Sequence, residues 1–382
     1  MTSIARDSAG LVELIAPDAV APHRAAWRDL TARAAEPNVF AEPEFVIPAL
    51  ACFAQAQGLR VLLVWRDAAR RALIGMMVLR FPLSGFGAAR VWQGNQAGLP
   101  AMMLDREAIA LALQAVIDWL ARERPRIAGL LAPTLEAGGP TAAALNALAA
   151  REKLAVHTMR PRERAALAAA RTPAEGIGAA LGKKRAKEWA RQRRRLAEGG
   201  ALAFLTAPAA DGVEDFLTLE AKGWKGARGS ALMADPALAL FTRTMLQGFA
   251  ASGQLTIHRL ERAGAPIAVG LVLRAQNRAF YWKTAYDETF AAFSPGVQLT
   301  LELSRALERD ATIALTDSCA ISDHPMIDRL WPARLALVDC IIAARPSGAA
   351  RLALWLKGEE LRLRLREAAK GIVNKLRGAR RS

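Results

Sequence analysis

A serine, a proline and a glycine in that order, between an apolar strand and an apolar helix, can build an anion site from backbone alone. The segment Phe293-Ser294-Pro295-Gly296-Val297-Gln298-Leu299 has this order. A helix start leaves its first N–H groups unpartnered and carries the positive end of the helix dipole. Ser294 is expected to cap, Pro295 to take the first helical position, and Gly296 to let a phosphate approach the backbone, with Val297 and Gln298 completing the turn. Lys225 and Lys283 are cations of a kind that holds phosphate or carboxylate. Tyr281 and Tyr286 are the only tyrosines and lie five apart on one expected strand, so they should point to opposite faces. Cys319, with His324 close by in sequence, is a nucleophile only if a base and an orienting group meet it in space. The three cysteines and four histidines are scattered, without CxxC, HxH or HExxH spacing. No metal site is expected, and the cysteine usage suits a reducing, cytoplasmic compartment.

The elements that must position these groups read as mixed α/β. In the first half, GLRVLLVW and ALIGMMVLRF form a hairpin, ARVWQG and PAMML are short strands, and residues 106–124 are helical by their apolar spacing. IAGLLAPT is a buried strand, a small-residue helix follows over about 140–151, and LAVHTM is a further strand. The second half repeats the plan: ALAFLTA as a strand, helices near 211–223 and 236–251, two strands across QLTIHRLERAGAPIAVGLVLR, RAFYWKTAYDE as a strand, a helix over 296–309, and ATIALTD as a strand. The runs Ile74–Arg80 and Val269–Arg274 hold matching places. The chain therefore reads as a duplicated α/β domain with two separate sheets and not one undivided sheet. The boundaries expected are 1–170, 171–345 and a tail over 346–382.

The chain has 382 residues, 53% apolar and 23% charged, which describes a folded protein. No apolar run reaches the roughly 20 residues that span a bilayer, and the N-terminal stretch does not read as a secretion signal. The net charge of +16 is concentrated. Residues 183–195 hold eight Lys/Arg against one Glu, and residues 345–382 hold eleven against three. Such fields draw cofactor phosphates, an acidic acyl carrier protein or an anionic membrane surface; without interleaved aromatics or a recognition motif, nucleic acid is the least favoured. In the tail, Leu361, Leu365, Ala368, Ile372 and Leu376 recur at helical spacing beside Arg362, Arg366, Lys370 and Arg377, a basic amphipathic helix suited to the inner face of a membrane or, through Arg362 and Arg366, to a cyclic dinucleotide.

AYDETFAAFSPGVQLTLE resembles the central strand and following helix of the CelD/BcsL family of GNAT-fold acetyltransferases, named for cellulose biosynthesis. Phe40-Ala41-Glu42-Pro43-Glu44-Phe45 is similar to that family's N-terminal signature, LEAKGWKGARGSAL over 219–232 to its GWKG element, and GKKRAKEWARQRRRLAEGG to its basic helix. The resemblance spans about residues 27–345 and implies tandem GNAT-like domains akin to the Fem transferases. It further implies an acyl-CoA co-substrate at Ser294–Gln298, an amine acceptor on a sugar, lipid or amino acid in exopolysaccharide or envelope-lipid synthesis, and direct transfer without a covalent enzyme intermediate. Glu220, Asp317 and His324 are the candidate bases, and Trp224, Lys225, Lys283 and Tyr286 the candidate substrate contacts. After ARVWQG the first half has Asn95-Gln96-Ala97-Gly98-Leu99-Pro100 where a Ser-Pro-Gly would stand, so that half reads as a degenerate copy that shapes the cleft. The alternatives are a non-catalytic GNAT-like protein that docks on a membrane or senses a nucleotide, and a Fem-like aminoacyl transferase.

Overall fold

The computed structural model describes residues 3–5, 10–53, 56–169, 177 and 182–379, with side chains of 3–5, 363 and 366–379 left aside. The tail positions Arg366, Ala368, Lys370, Ile372, Leu376 and Arg377 therefore lie outside the described side chains. Among the described residues fourteen strands make one mixed sheet. Its first half runs β1 (Ser3–Ala5), β2 (Leu11–Ile15), β3 (Leu59–Trp65), β4 (Leu73–Arg80), β5 (Gly87–Val91) and β7 (Ile127–Glu136), with β6 (Met102–Leu104) folded back on β4. Its far side runs β9 (Leu202–Ala207), β10 (Leu255–Arg262), β11 (Ala265–Ala275), β12 (Arg278–Tyr286) and β13 (Leu315–Asp317).

Each half has antiparallel strands followed by one parallel pair, β5 with β7 and β12 with β13, and each parallel connection carries a helix. These are α3 (Ile109–Glu123) in the first half and, in the second, a later helix over Pro295–Arg309. The tandem plan is present, but the expectation of two separate sheets is corrected. β8 (Val156–Ala168), which ends the first half, pairs with β13 of the second, while β14 (Ala333–Ala343) inserts between β7 and β8. Each half thus lends its last strand to the other. β14 is buried along most of its length, reading LALVDCIIA without the alternation that would mark a half-exposed strand.

Helices cover both faces. α1 (Arg24–Arg33) and α2 (Pro43–Cys52) belong to the first half, as does α4 (Pro140–Glu152). α5 (Lys183–Glu198), α6 (Ala209–Lys222), α7 (Pro236–Ala251) and α8 (Pro295–Arg309) belong to the second, and α9 (Ala349–Ala379) closes the chain. One apolar core runs across the seam. Phe40 and Phe45 stand edge-on to each other, Phe40 touches Phe280 of β12 at 5.6 Å between centroids, and Phe45 touches Phe241 of α7 at 5.3 Å. Two phenylalanines of the FAEPEF run thus face the second half. Its glutamates are buried as well: Glu44 pairs with Arg24 and Arg28, and Glu42 accepts a 2.6 Å hydrogen bond from the Gln254 amide. Burial is the main cause that pushes the Glu42 carboxyl up to about 8.

Candidate functional site

β12 decides the geometry. It pairs with β13 only over Arg278–Phe280; from Tyr281 on, β13 has ended and β12 continues against β11 alone. Its register on β11 slips between Leu271 and Val272, opposite Lys283 and Tyr281, which makes Trp282 the extra residue of a β-bulge. The bulge changes which way the later side chains face. Tyr281 donates or accepts a 3.0 Å hydrogen bond with Thr300 of α8, and the Tyr286 ring lies over Gly296 of the same helix. The two tyrosines therefore share a face, contrary to the strict alternation expected, because one added residue shifts the two-residue period by one. Trp282 and Lys283 turn to the other face, toward α6.

At the start of α8, Ser294 sits in the left-handed region at φ 53° and makes no side-chain cap. Its carbonyl instead accepts the Val297 and Gln298 N–H groups at 3.0 and 3.1 Å. Pro295 takes the first helical position as expected, and the Gly296 N–H meets no acceptor among the described residues. A Cβ on Gly296 would come within 3.1 Å of the Tyr286 ring, so any larger residue there must displace the ring by a few tenths of an ångström. The buried Gln298 donates its side-chain amide to the Trp189 carbonyl of α5 at 2.9 Å. That bond, the Arg193–Glu302 pair at 3.3 Å and the Arg195 guanidinium over the Phe293 ring lay the basic helix along the start of α8. Gln298 is thus a docking contact for α5, and the cations of α5 add to the dipole of α8.

Across β12 the GWKG element forms the opposite wall. On α6, Val213, Phe216, Leu217 and Glu220 recur on the buried face, which carries the Glu220 carboxylate inward. There it accepts the Lys225 ammonium at 2.6 Å and the Leu232 N–H at 2.8 Å. The Trp224 N–H donates to Glu288 at 2.6 Å, tying the end of α6 to the segment after β12, while the Trp224 ring stays exposed under Arg228. Glu220, Trp224, Lys225 and Tyr286 line one small pocket with Thr284 and Glu288, and Lys283 sits within electrostatic reach of Glu220 and Lys225. Lys283 is half-buried with its ammonium 5.0 Å from the Trp282 ring. Burial first, then repulsion from Lys225, lowers its pKa to about 8, with Glu220 opposing.

The other two base candidates are differently employed. Asp317 is fully buried and paired with the buried Arg164 of β8, and its second oxygen accepts the Cys319 N–H at 2.9 Å. His324 is half-buried and its Nδ1 accepts the Met326 and Ile327 N–H groups, both at 3.3 Å, as a turn cap. Burial, with Asp317 adding, raises the Cys319 thiol well above its ordinary range, which keeps it protonated and not nucleophilic. His258 is a core residue stacked on Phe204, with its pKa lowered by burial to about 4.

Two contributors are invisible to a reading by motif. Arg164 bridges Asp317 and the Gly98 carbonyl at 2.9 Å, and the Trp282 indole N–H donates to the Gln96 carbonyl at 2.9 Å. The Asn95–Pro100 loop of the first half thereby rests on the bulge of the second. Only tertiary contact marks these residues; their sequence neighbourhood carries no signal.

Residues 183–317 match the family model described as an acetyltransferase (GNAT) domain. The chain carries a GNAT-fold acetyltransferase domain. The GNAT match runs from the first residue of α5 to the last of β13, so it includes the basic helix, the bulged strand and the start of α8. Among solved structures, the crystal structure of FemX is similar at a TM-score of 0.54 and 11% identity, over 83% of this chain and 95% of that one. The C-terminal domain (DUF2156) of a putative lysylphosphatidylglycerol synthetase from Agrobacterium fabrum is similar at 0.51 and 11% identity, over 88% and 96%. At such identities the likeness is one of fold, and it extends beyond the GNAT match across both halves. No curated protein sequence matches the chain. Among the described residues no helix is long and apolar enough to cross a membrane, and no group of His, Cys, Asp or Glu could hold a metal ion.

Proposed function

We propose that the chain is an N-acyltransferase that moves an acetyl or longer acyl group from coenzyme A to an amine of a sugar, lipid or amino acid. The observation that carries this reading is the departure of β12 from β13 at the bulge, directly before a helix start flanked by cations. Past Phe280 the outer edge of β12 is free to hydrogen-bond an extended pantetheine arm, as an added strand would. The start of α8, its Gly296 N–H and the α5 cations suit the pyrophosphate. The thioester then lies by the bulge, where backbone N–H groups can meet the oxyanion that forms as the amine adds.

In this reading the amine attacks the thioester carbonyl directly, the tetrahedral adduct collapses, and coenzyme A leaves as its thiolate. Proximity supplies much of the rate. The attacking amine must lose one proton, and Lys283, half-neutral near pH 8, receives it. Glu220 holds Lys225 beside Lys283, so it acts as a positioning residue. Asp317 braces the end of β13 through Arg164, and His324 shapes the turn that follows. An acyl carrier protein is the alternative donor, held by the exposed cations of α5. The boundary between the halves is assigned near residue 170, with the exchanged strands crossing it.

The experiment is thiol release from acetyl-CoA and long-chain acyl-CoA with a panel of amino sugars, amino acids and aminolipids. Amine-dependent release that falls in Lys283→Met is expected. Absence of release with every donor and amine, from protein that binds coenzyme A, would overturn the proposal.

A further inference from the structure

α9 carries two apolar faces where a helix packed on a sheet needs one. Its inner face is accounted for. Leu352 is fully buried against Ala88, Ala128, Leu131, Ile341 and Ala343, the Trp355 indole rests on Gly87, and half-buried Glu359 approaches Arg90 at 4.0 Å. Leu354, Leu361 and Leu365 follow each other at steps of seven and four, which puts them in one stripe turned about half a circle from Leu352. They are 74%, 59% and 63% exposed. Cations flank the stripe on both sides, Arg351 and Arg362 on one, Lys357 and Arg364 on the other, all exposed. The acids of this stretch are engaged: Glu359 with Arg362 at 2.6 Å and Glu360 with Arg364 at 2.8 Å.

A second apolar projection stands beside the first turns of this helix. The loop Phe81–Phe86 ends one residue before Gly87, on which Trp355 rests; its Leu83 is fully exposed and its Phe86 59% exposed. The Arg126 guanidinium lies over the Phe86 ring and that of Arg124 over Phe81. The loop opens on a cavity of about 570 Å³ lined by Arg60, Leu83, Glu123, Arg124 and Arg126, three cations against one acid.

We infer that the outer stripe of α9 and the Phe81–Phe86 loop together form a docking face for an anionic phospholipid surface. A leucine stripe between two rows of cations matches acyl chains below and phosphates above, the arrangement by which a helix lies in the interface plane. A second copy of the chain fits poorly, since pairing the stripes would set Arg and Lys of one against Arg and Lys of the other. Nor does any described segment cover the stripe. This inference does not depend on the acyltransferase reading.

The test is flotation of the full chain with vesicles of equal parts phosphatidylcholine and phosphatidylglycerol, and with phosphatidylcholine alone. The wild type should float with the anionic vesicles only, less so at high salt. Leu354→Ser with Leu361→Ser and Leu365→Ser should weaken this by about tenfold or more, with circular dichroism and melting temperature unchanged. Leu83→Ser with Phe86→Ser should weaken it by a smaller factor. Equal binding to both vesicle types, binding that survives the triple serine variant, no binding to either vesicle type, or a concentration-dependent dimer lost in that variant would overturn the inference. The last outcome would make a second copy the occupant.

Discussion

The two halves of the molecule use the same strand–helix corner in opposite ways. In the second half β12 runs nine residues with a bulge and α8 opens on Pro295 and Gly296 with no carboxylate at its start. In the first half β5 stops after five residues, and the chain folds back as β6 on β4 before α3 begins. The buried Asp105 stands just ahead of α3, its carboxylate accepting the Glu107 N–H at 2.9 Å and pairing with Arg33. An anion of the protein itself thus caps the turn that leads into α3, whereas no carboxylate stands at or immediately ahead of the first turn of α8, which α5 flanks. The same frame recurs in the two halves, and we propose that the residues ahead of the two helices decide which corner takes a ligand.

Lys283→Met should produce the largest break in this asymmetry. We expect kcat to fall by about 10² to 10⁴ while coenzyme A affinity is unchanged. Because the lysine must be neutral to take the proton, wild-type rates should climb with pH and level off above about 8, and the variant should lose that rise. Gly296→Glu places an anion at the open helix start and a side chain in the Tyr286 ring; coenzyme A affinity, followed by titration calorimetry, should drop about a hundredfold, or ~3 kcal/mol. Asp105→Ala makes the converse change in the first half. Thermal unfolding should register a loss of about 2–3 kcal/mol from the broken Arg33 pair, with coenzyme A binding untouched.

The smallest expected effect concerns the seam. The folded Glu42 carboxyl titrates near 8, above its ordinary value, so the neutral form favours folding. That stability is fully present below about pH 4.5 and lost as pH rises toward 8. Glu42→Gln should flatten melting temperature across this window, separating from wild type by about 1–2 kcal/mol at the alkaline end.

Much of the second half was legible because its signals are local. The capped or punctuated ends of α7 and α8, the hairpin of β10 and β11, and the Ser-Pro-Gly corner all sit within a few residues of what specifies them. The parts that were not legible depend on distant partners. β14 is an apolar run whose place between β7 and β8 no neighbouring residue announces, and with it goes the continuity of the sheet. The bulge at Trp282 depends on the register of β11 and has no mark in RAFYWKTAY, so the faces of Tyr281 and Tyr286 could not be read by counting. Arg164 shows the same limit at the site: its partner Asp317 lies 153 residues away. The pattern of the corner was readable, and the groups that brace it were not.

The central claim is that one corner of the two binds the donor, and the stoichiometry of coenzyme A binding tests it most directly. Titration calorimetry on the full chain should give one coenzyme A per chain, weakened about a hundredfold by Gly296→Glu and retained by Asp105→Ala. Two per chain, or one that persists undiminished in Gly296→Glu and vanishes in Asp105→Ala, would contradict the account.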